Sequence, residues 1–308
     1  MTAMTVVRAG MLTSVQDLGR WGQQHLGVPV AGPMDWYSHR LANAVLGNPA
    51  DAAALEITLM GPELVTDTET VCAIAGAEFE ALAGERRVRP AEPFVLRAGE
   101  RLRFGGRLAG TRATLAVSGG FTPPAVLGSR STSLVSHLGP FGGRALKIGD
   151  VLPIAPPAIV VRRYFGRPLL LPLGGARLRV VPGPHETRFT EHARDVFAQS
   201  RYIVTPDSNR MGYRLDGPRL EHADAADMLS DATPVGSVQV PPSGCPILLM
   251  ADRQTTGGYP RIATVITADL PLAGQLAPGD WIEFEPCSRA AAVEALRRRE
   301  AALRGTAA

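Results

Sequence analysis

Lysine is almost missing from this 308-residue chain: Lys147 is the only one among 32 basic residues. Any chemistry that needs a lysine, such as a Schiff base or the phosphate lysine of a Walker loop, would have to use that one residue. The GxxxxGK[ST] loop is itself absent, and so is the GxSxG elbow of hydrolases. Six histidines (His25, His39, His137, His185, His192, His222) show no HxxxH or HExxH spacing. The sequence therefore indicates neither a helical metal site nor a Ser-His-Asp triad. The three cysteines (Cys72, Cys245, Cys287) have no metal-type spacing and cannot all pair with one another, which predicts a reducing, cytoplasmic compartment. The N-terminal MTAMTVVRAG carries no apolar signal core, and no apolar run reaches the length of a membrane span. A net charge of only +3 gives no electrostatic case for a nucleic-acid partner.

Glycine (33) and proline (26) are plentiful and scattered, so they cut the chain into short apolar runs. Val71–Ala75, Leu115–Val117, Leu178–Val181, Val238–Val240 and Ile247–Met250 each read as a buried strand. Period-two alternation in Arg101–Phe104 and Trp281–Glu285 reads the same way. Short strands with frequent turns predict a mainly β chain of barrels or sandwiches, and the length suits two domains. Helices are few. Asp35 caps a predicted helix over Trp36–Leu46 that stops at Gly47, a second covers Glu191–Ser200, and an alanine-rich tail begins at Ser288.

A weak internal echo runs through the chain. Leu59-Met60-Gly61-Pro62-Glu63-Leu64 matches Leu215-Asp216-Gly217-Pro218-Arg219-Leu220, and Leu96–Phe104 matches Leu276–Phe284. Two matches in the same order predict a duplicated barrel, with an insertion in the second copy about as long as DRQTTGGYP. A site in the cleft between the two barrels is then expected.

The most unusual composition lies at Ala251–Pro271. Asp252, Arg253, Gln254, Thr255, Thr256 and Tyr259 stand between two apolar strands on a turn carrying Gly257 and Gly258. Polar groups on a rigid scaffold are what a site needs. Three further segments can contribute. Gln16, Asp17 and Arg20 sit on a Gly-flexed loop, where Asp17 and Arg20 either lock that loop or bind an anion. Ser129, Arg130, Ser131 and Thr132 suit an anion nest or a self-satisfied turn. Asn209 and Arg210 form a turn entering a strand, and Gln239 is an amide inside a valine strand that needs partners. Glu56, an acid in an apolar stretch, reads as a general base or a paired structural acid.

In order, QDLGRWG, GVPVAGPMD, LANAVLGNPADAAALEI, SGG, GSRST, GGRALKIGD, SNRMGYRLDGP, VGSVQVPPSG, PILLMADRQTTGGYPRIATVITADLP and LAPGDWIEF resemble the biotin-dependent carboxyltransferase family of allophanate-hydrolase-subunit-2 (KipA-type) proteins, over about residues 5–286. The resemblance implies two tandem cyclophilin-like β-barrels: 1–157 with the QDLGR loop, 158–287 with DRQTTGGYP, then a helical tail over 288–308. It implies a KipI-type protein and a LamB/YcsF-type protein as partners, and ATP-driven opening of the lactam 5-oxoproline to glutamate. Phosphorylation of the lactam oxygen activates the ring carbon, water adds to it, the C–N bond breaks to open the ring, and hydrolysis releases phosphate. ATP, with Mg2+, is the implied cofactor, on this chain or on a partner. The sequence has no MKM motif, so biotin is not attached here.

On this reading Asp252, Gln254, Thr256, Asp17 and Arg20 are the expected catalytic groups. Gln16, Arg130, Ser131, Asn209, Arg210, Gln239, Arg253, Thr255 and Tyr259 are the expected substrate and phosphate ligands, and Asp252 or Asp17 the group that holds magnesium or orients water. The same resemblance allows two other roles: a carboxyl-transfer component for urea- or allophanate-like amides with a biotin carrier, and a non-enzymatic antagonist that binds a kinase inhibitor. The chain departs from the family at Asp231, where glutamate is usual, at Cys245, where glutamine is common, and at His137-Leu138-Gly139-Pro140. The first shortens an acid and weakens the substrate assignment if that acid positions substrate.

Overall fold

The computed structural model describes residues 2–156 and 166–305. The expected boundary at 157/158 therefore lies outside the described residues. The chain divides into two compact units, but not in simple sequence order. The first takes the described residues of 1–20, 31–171 and 301–308; the second takes Trp21–Val30 and Pro172–Glu300. Both are mainly β, as the scattered turn residues predicted.

In the first unit nine strands form one antiparallel sheet: β1 (Ala3–Arg8), β2 (Leu12–Gln16), β3 (Ala54–Thr58), β4 (Glu63–Thr66), β5 (Thr70–Ala83), β6 (Arg86–Arg87), β7 (Pro93–Leu96), β8 (Arg101–Val117) and β9 (Val151–Pro153). The order is β2-β3-β8-β4-β1-β9, with β5 on β8 and β6 and β7 on β5. The long β8 organises it. Its start pairs with β4 (Leu64↔Leu102), its end with β3 (Leu55↔Leu115), and its other edge with β5. Three register shifts in β5 between Gly76 and Ala81 bend the ribbon, as extra residues in one strand do. The sheet curls around Met4, Leu55, Ile57, Leu64, Leu102 and Leu115 without closing. Helix Trp36–Val45, capped by Asp35 through Ser38 N–H (2.9 Å), packs on β5 and β8. That second cover explains why Gly110–Val117 is buried on both faces.

The second unit is a closed barrel in the order β10-β17-β14-β15-β12-β11-β18. Its strands are β10 (Gly175–Pro182), β11 (Arg201–Val204), β12 (Gly212–Asp216), β14 (Ser237–Gln239), β15 (Ile247–Leu249), β17 (Arg261–Val265) and β18 (Trp281–Pro286). A separate ribbon pairs β13 (Asp231–Ala232) with β16 (Thr256–Gly257). The parallel pairing of β10 with β18 closes the circle. Alternation sets the interior: Leu178, Val180, Tyr213, Leu215, Val238, Leu248 and Phe284 are buried. Helix Glu191–Gln199 seats Phe197 on Phe284, with ring centroids 4.6 Å apart. The tail forms helix Arg289–Leu303, started by Ser288 accepting from Ala291 N–H, and buries only Leu303.

The echo separates into one real motif and one coincidence. At Arg97–Glu100 and Ala277–Asp280 the acid accepts the N–H three residues back (2.8 Å in both), and a left-handed glycine donates to the last residue of the neighbouring strand. Gly99 reaches Thr66 O of β4 and Gly279 reaches Val204 O of β11, each at 2.8 Å. Lys147–Asp150 repeats the turn a third time, with Gly149 on Val6 O of β1. This is a strand-entry turn, and its three copies stand immediately before β8, β18 and β9. The GPxL match does not correspond: Leu64 lies within β4, which pairs with the start of β8, whereas Leu220 follows β12. The extra spacing in the second copy therefore measures no insertion.

Candidate functional site

In the first unit two of the polar segments merge into one. The anion nest of Ser129–Thr132 is real, and its anion is Asp17. Ser129 Oγ and Ser131 Oγ each donate to Asp17 Oδ1 at 2.6 Å, Gly19 N–H donates to the same oxygen at 3.0 Å, and Arg130 N–H donates to Oδ2 at 2.5 Å. Burial pushes the carboxyl pKa up, but these hydrogen bonds outweigh it and hold the group below its ordinary value. The Arg20 guanidinium is 1 % exposed and reaches Val126 O and Ser131 O, both at 2.8 Å. Gln16 Nε2 donates to Ser14 Oγ and Thr132 O, and Arg130 Nε donates to Pro123 O. Glu56 accepts from Met34 N–H at 2.7 Å, which suits the paired structural acid. Asp17 and the Nε and Nη2 groups of Arg20 are thus engaged in folding the loop, which favours the locking role for this pair over the catalytic one.

In the second unit the run at Ala251–Pro271 also splits by role. Asp252 and Arg210 form a bidentate pair, Nε–Oδ2 at 3.0 Å and Nη2–Oδ1 at 2.9 Å, with side chains 0 % and 5 % exposed. Asp252 N–H donates in turn to Arg210 O. A pair this buried acts as a staple between the two segments. Arg253 differs. It donates Nε to Thr233 O at 2.7 Å and meets no carboxylate within ion-pair reach among the described residues. Burial without a counter-charge pulls its pKa down to about 10. The Thr255 carbonyl accepts from Thr233 N–H, Thr233 Oγ donates to Gln254 O, and Thr256 sits in β16 against Ala232. Asp231, the shortened acid, is ion-paired with Arg261, which also donates to Ala232 O. Its job is to fasten the 231–234 strap over the loop.

The remaining groups line a pocket of about 300 Å³ on the outer face of the barrel: Asn209, Met211, Gly212, Arg214, Gln239, Ile247, Leu249, Gln254 and Tyr259. Alternation explains it. Tyr213, Leu215, Val238 and Leu248 point inward, so Gly212, Arg214, Gln239, Ile247 and Leu249 point out. The loop after β15 then folds over them. Gln254 Nε2 donates to Gln239 Oε1 at 3.3 Å, and Gln239 Nε2 donates to Tyr259 O at 3.4 Å. Both bonds are long, so a ligand can exchange with them at little cost. Asn209 Oδ1 accepts from Met211 N–H and shapes the rim. Gly257 is there for closeness more than flexibility: a Cβ on it would lie 2.7 Å from Gln239 Nε2 and 3.2 Å from Gln254 Nε2. Gly257→Ala is expected to displace both amides and to lower kcat/KM about 100-fold with little change in melting temperature. Unchanged kinetics would remove the amides from the site.

Among the expected residues the pocket gathers Asn209, Gln239, Gln254 and Tyr259. Five lining residues were missed by the sequence reading, Met211, Ile247 and Leu249 on apolar grounds, and Arg214 with Gly212 on one strand. The signal for the last two was the alternation Gly-Tyr-Arg-Leu, which places them on the same face as Gln239.

The sequence matches the carboxyltransferase domain, subdomain A and B, over residues 26–286. The chain belongs to this family. Its relatives include the 5-oxoprolinase C-type subunit of Escherichia coli, 41% identical over 95% of this chain and 94% of that one. The Haemophilus influenzae protein of the same name is 37% identical over 93% and 92%. A urea amidolyase from Lachancea kluyveri is 33% identical over 98% of this chain but only 18% of its own length. The crystal structure of the Kluyveromyces lactis urea carboxylase superimposes with a TM-score of 0.90 at 33% identity, covering 99% of this chain and 30% of that one. The carboxyltransferase-domain fold, one closed barrel and one curled sheet, is thus shared with a solved structure. No described helix is long and apolar enough to cross a membrane. All three cysteines are free thiols, and burial raises that of Cys72 to about 12.

Proposed function

We propose that this chain is the C-type subunit of an ATP-dependent 5-oxoprolinase, working with a KipI-type partner and a LamB/YcsF-type partner to open 5-oxoproline to glutamate. Extent of match carries the reading. The chain covers nearly all of two proteins named for that role, whereas it corresponds to a minor part of the urea amidolyases. The pocket supports it. A lactam is a cis amide, with N–H and C=O side by side, and the primary amides of Gln239 and Gln254 present the complementary donor and acceptor. The pocket volume is at the small end of ligand sites, right for a small amide and too small for a whole nucleotide.

Magnesium and ATP do not fit the described residues. No group of three His, Cys, Asp or Glu among them could hold a metal. Asp17 and Asp252 are taken up by hydrogen bonds. We place the nucleotide on the partner proteins. Within this chain Gln239, Gln254 and Tyr259 orient the lactam, while Arg253 supplies a poorly compensated positive charge beside them in sequence.

Mixing the chain with its KipI-type and LamB/YcsF-type partners, 5-oxoproline and ATP is expected to release glutamate, and Gln254→Leu to lower kcat/KM about 10–100-fold. No turnover above partner-only controls would sink the proposal. Turnover that needs bicarbonate and a biotin carrier would favour the urea-type carboxyl transfer suggested by the amidolyase relatives.

A further inference from the structure

We infer that Arg214 anchors a carboxylate in the outer-face pocket, so that the ligand is a small cyclic amide bearing an anionic group and not a neutral urea-type amide. The inference rests on reading this pocket as the substrate site.

Three observations carry it. First, the pocket lining contains one charged residue, Arg214, and no acid. Second, that guanidinium is borne by an exposed residue and has no hydrogen-bond or ion-pair partner among the described residues. Arg214 N–H donates to Ser208 Oγ and its carbonyl accepts from Thr205 N–H, but among the described residues nothing accepts from its side chain. Of the neighbouring guanidiniums, Arg210 is committed to Asp252 and Arg261 to Asp231 and Ala232, while Arg253 donates to Thr233 O and lies outside the pocket lining. Third, the strand register places Arg214 in line with the amide. Ile247 of β15 pairs with Arg214 on one side and Gln239 on the other. The three form a row across adjacent strands, with Arg214 and Gln239 about 10 Å apart at the backbone. Ile247 is the apolar floor between them, and Gly212, beside Arg214 on the same face, leaves the space open. A ligand lying along the row meets an amide at one end, a hydrocarbon surface in the middle and a cation at the other end. A five-membered lactam with a carboxylate has that sequence of groups, and urea lacks both the apolar middle and the anion.

The test compares 5-oxoproline with 2-pyrrolidinone, the same lactam without its carboxylate. Binding to the purified full chain is measured by ligand-observed NMR, and KM is measured in the assembled complex. The chain is expected to prefer 5-oxoproline. Arg214→Gln should weaken it about 10–100-fold while leaving 2-pyrrolidinone unchanged, and Arg214→Lys should recover part of the loss. Equal binding of the two lactams, binding of neither, or a preference that survives Arg214→Gln overturns the inference. Turnover of 5-oxoproline that ignores Arg214 overturns the anchor and leaves the proposed function standing. An Arg214-dependent preference without turnover does the reverse.

Discussion

Asp252→Ala is expected to destabilise the second unit by about 3–5 kcal/mol, the cost of leaving a buried charge without its partner. The guanidinium of Arg210 stays behind, 5 % exposed, with its two bonds to Asp252 gone. The effect reaches the pocket because of where the pair sits. Arg210 precedes Met211 and Gly212 on one wall, and Asp252 precedes Gln254 on the other. The pair fastens both walls twice, through side chains and through Asp252 N–H on Arg210 O. Replacing both members, as Arg210→Met with Asp252→Leu, is expected to recover most of the stability, since apolar groups of similar volume commonly substitute for a buried pair. Urea melts of the three chains measure this. If Asp252→Ala melts like the parent, the pair is no staple. If the double variant is stable yet inactive, the pair positions the amides as well as holding the fold.

The strands were legible because burial writes a period into the sequence, and both helix caps that involve Asp35 and Ser288 were legible because a cap is a local hydrogen bond. Side-chain pairing was not. Asp17 and Ser131 are 114 residues apart, and Arg210 and Asp252 are 42 apart. Composition marked all four as interesting without saying that each would consume another. A buried charge and a catalytic charge look alike in a sequence, and only the partner distinguishes them. The same limit explains Arg214, which looked like an ordinary strand arginine until the register set it beside Ile247 and Gln239. Glycine usually signals freedom, but at Gly257 it signals closeness, since a Cβ there would crowd two side-chain amides. The shortened acid at Asp231 is paired with Arg261, a partner that the sequence does not name.

The first unit is expected to lose stability in acid in two separable steps. His39, on the helix that covers β5 and β8, is fully buried, and burial lowers its pKa from 6.5 to about 4 against a smaller opposing pull from Asp17. The folded chain therefore binds fewer protons than the unfolded chain between those values. Stability is complete above pH 6.5 and falls by about 3 kcal/mol on the way down to pH 4. Asp17 works in the next window. Its folded pKa lies below 3.8, so its contribution is present above that value and is lost as the pH falls through the depressed one. Thermal melts from about pH 7 to about pH 3 follow both steps. His39→Gln is expected to flatten the upper step, since no imidazole remains to protonate. Asp17→Asn should remove the lower step and cost about 3 kcal/mol near neutral pH, because an amide nitrogen placed opposite Arg130 N–H gives two donors and no acceptor. It should also leave the upper step in place, because burial and not Asp17 dominates His39. A parent chain equally stable at about pH 7 and about pH 4.5 would mean that His39 is hydrated or protonated in the folded state, and the helix would then not seal it against the sheet.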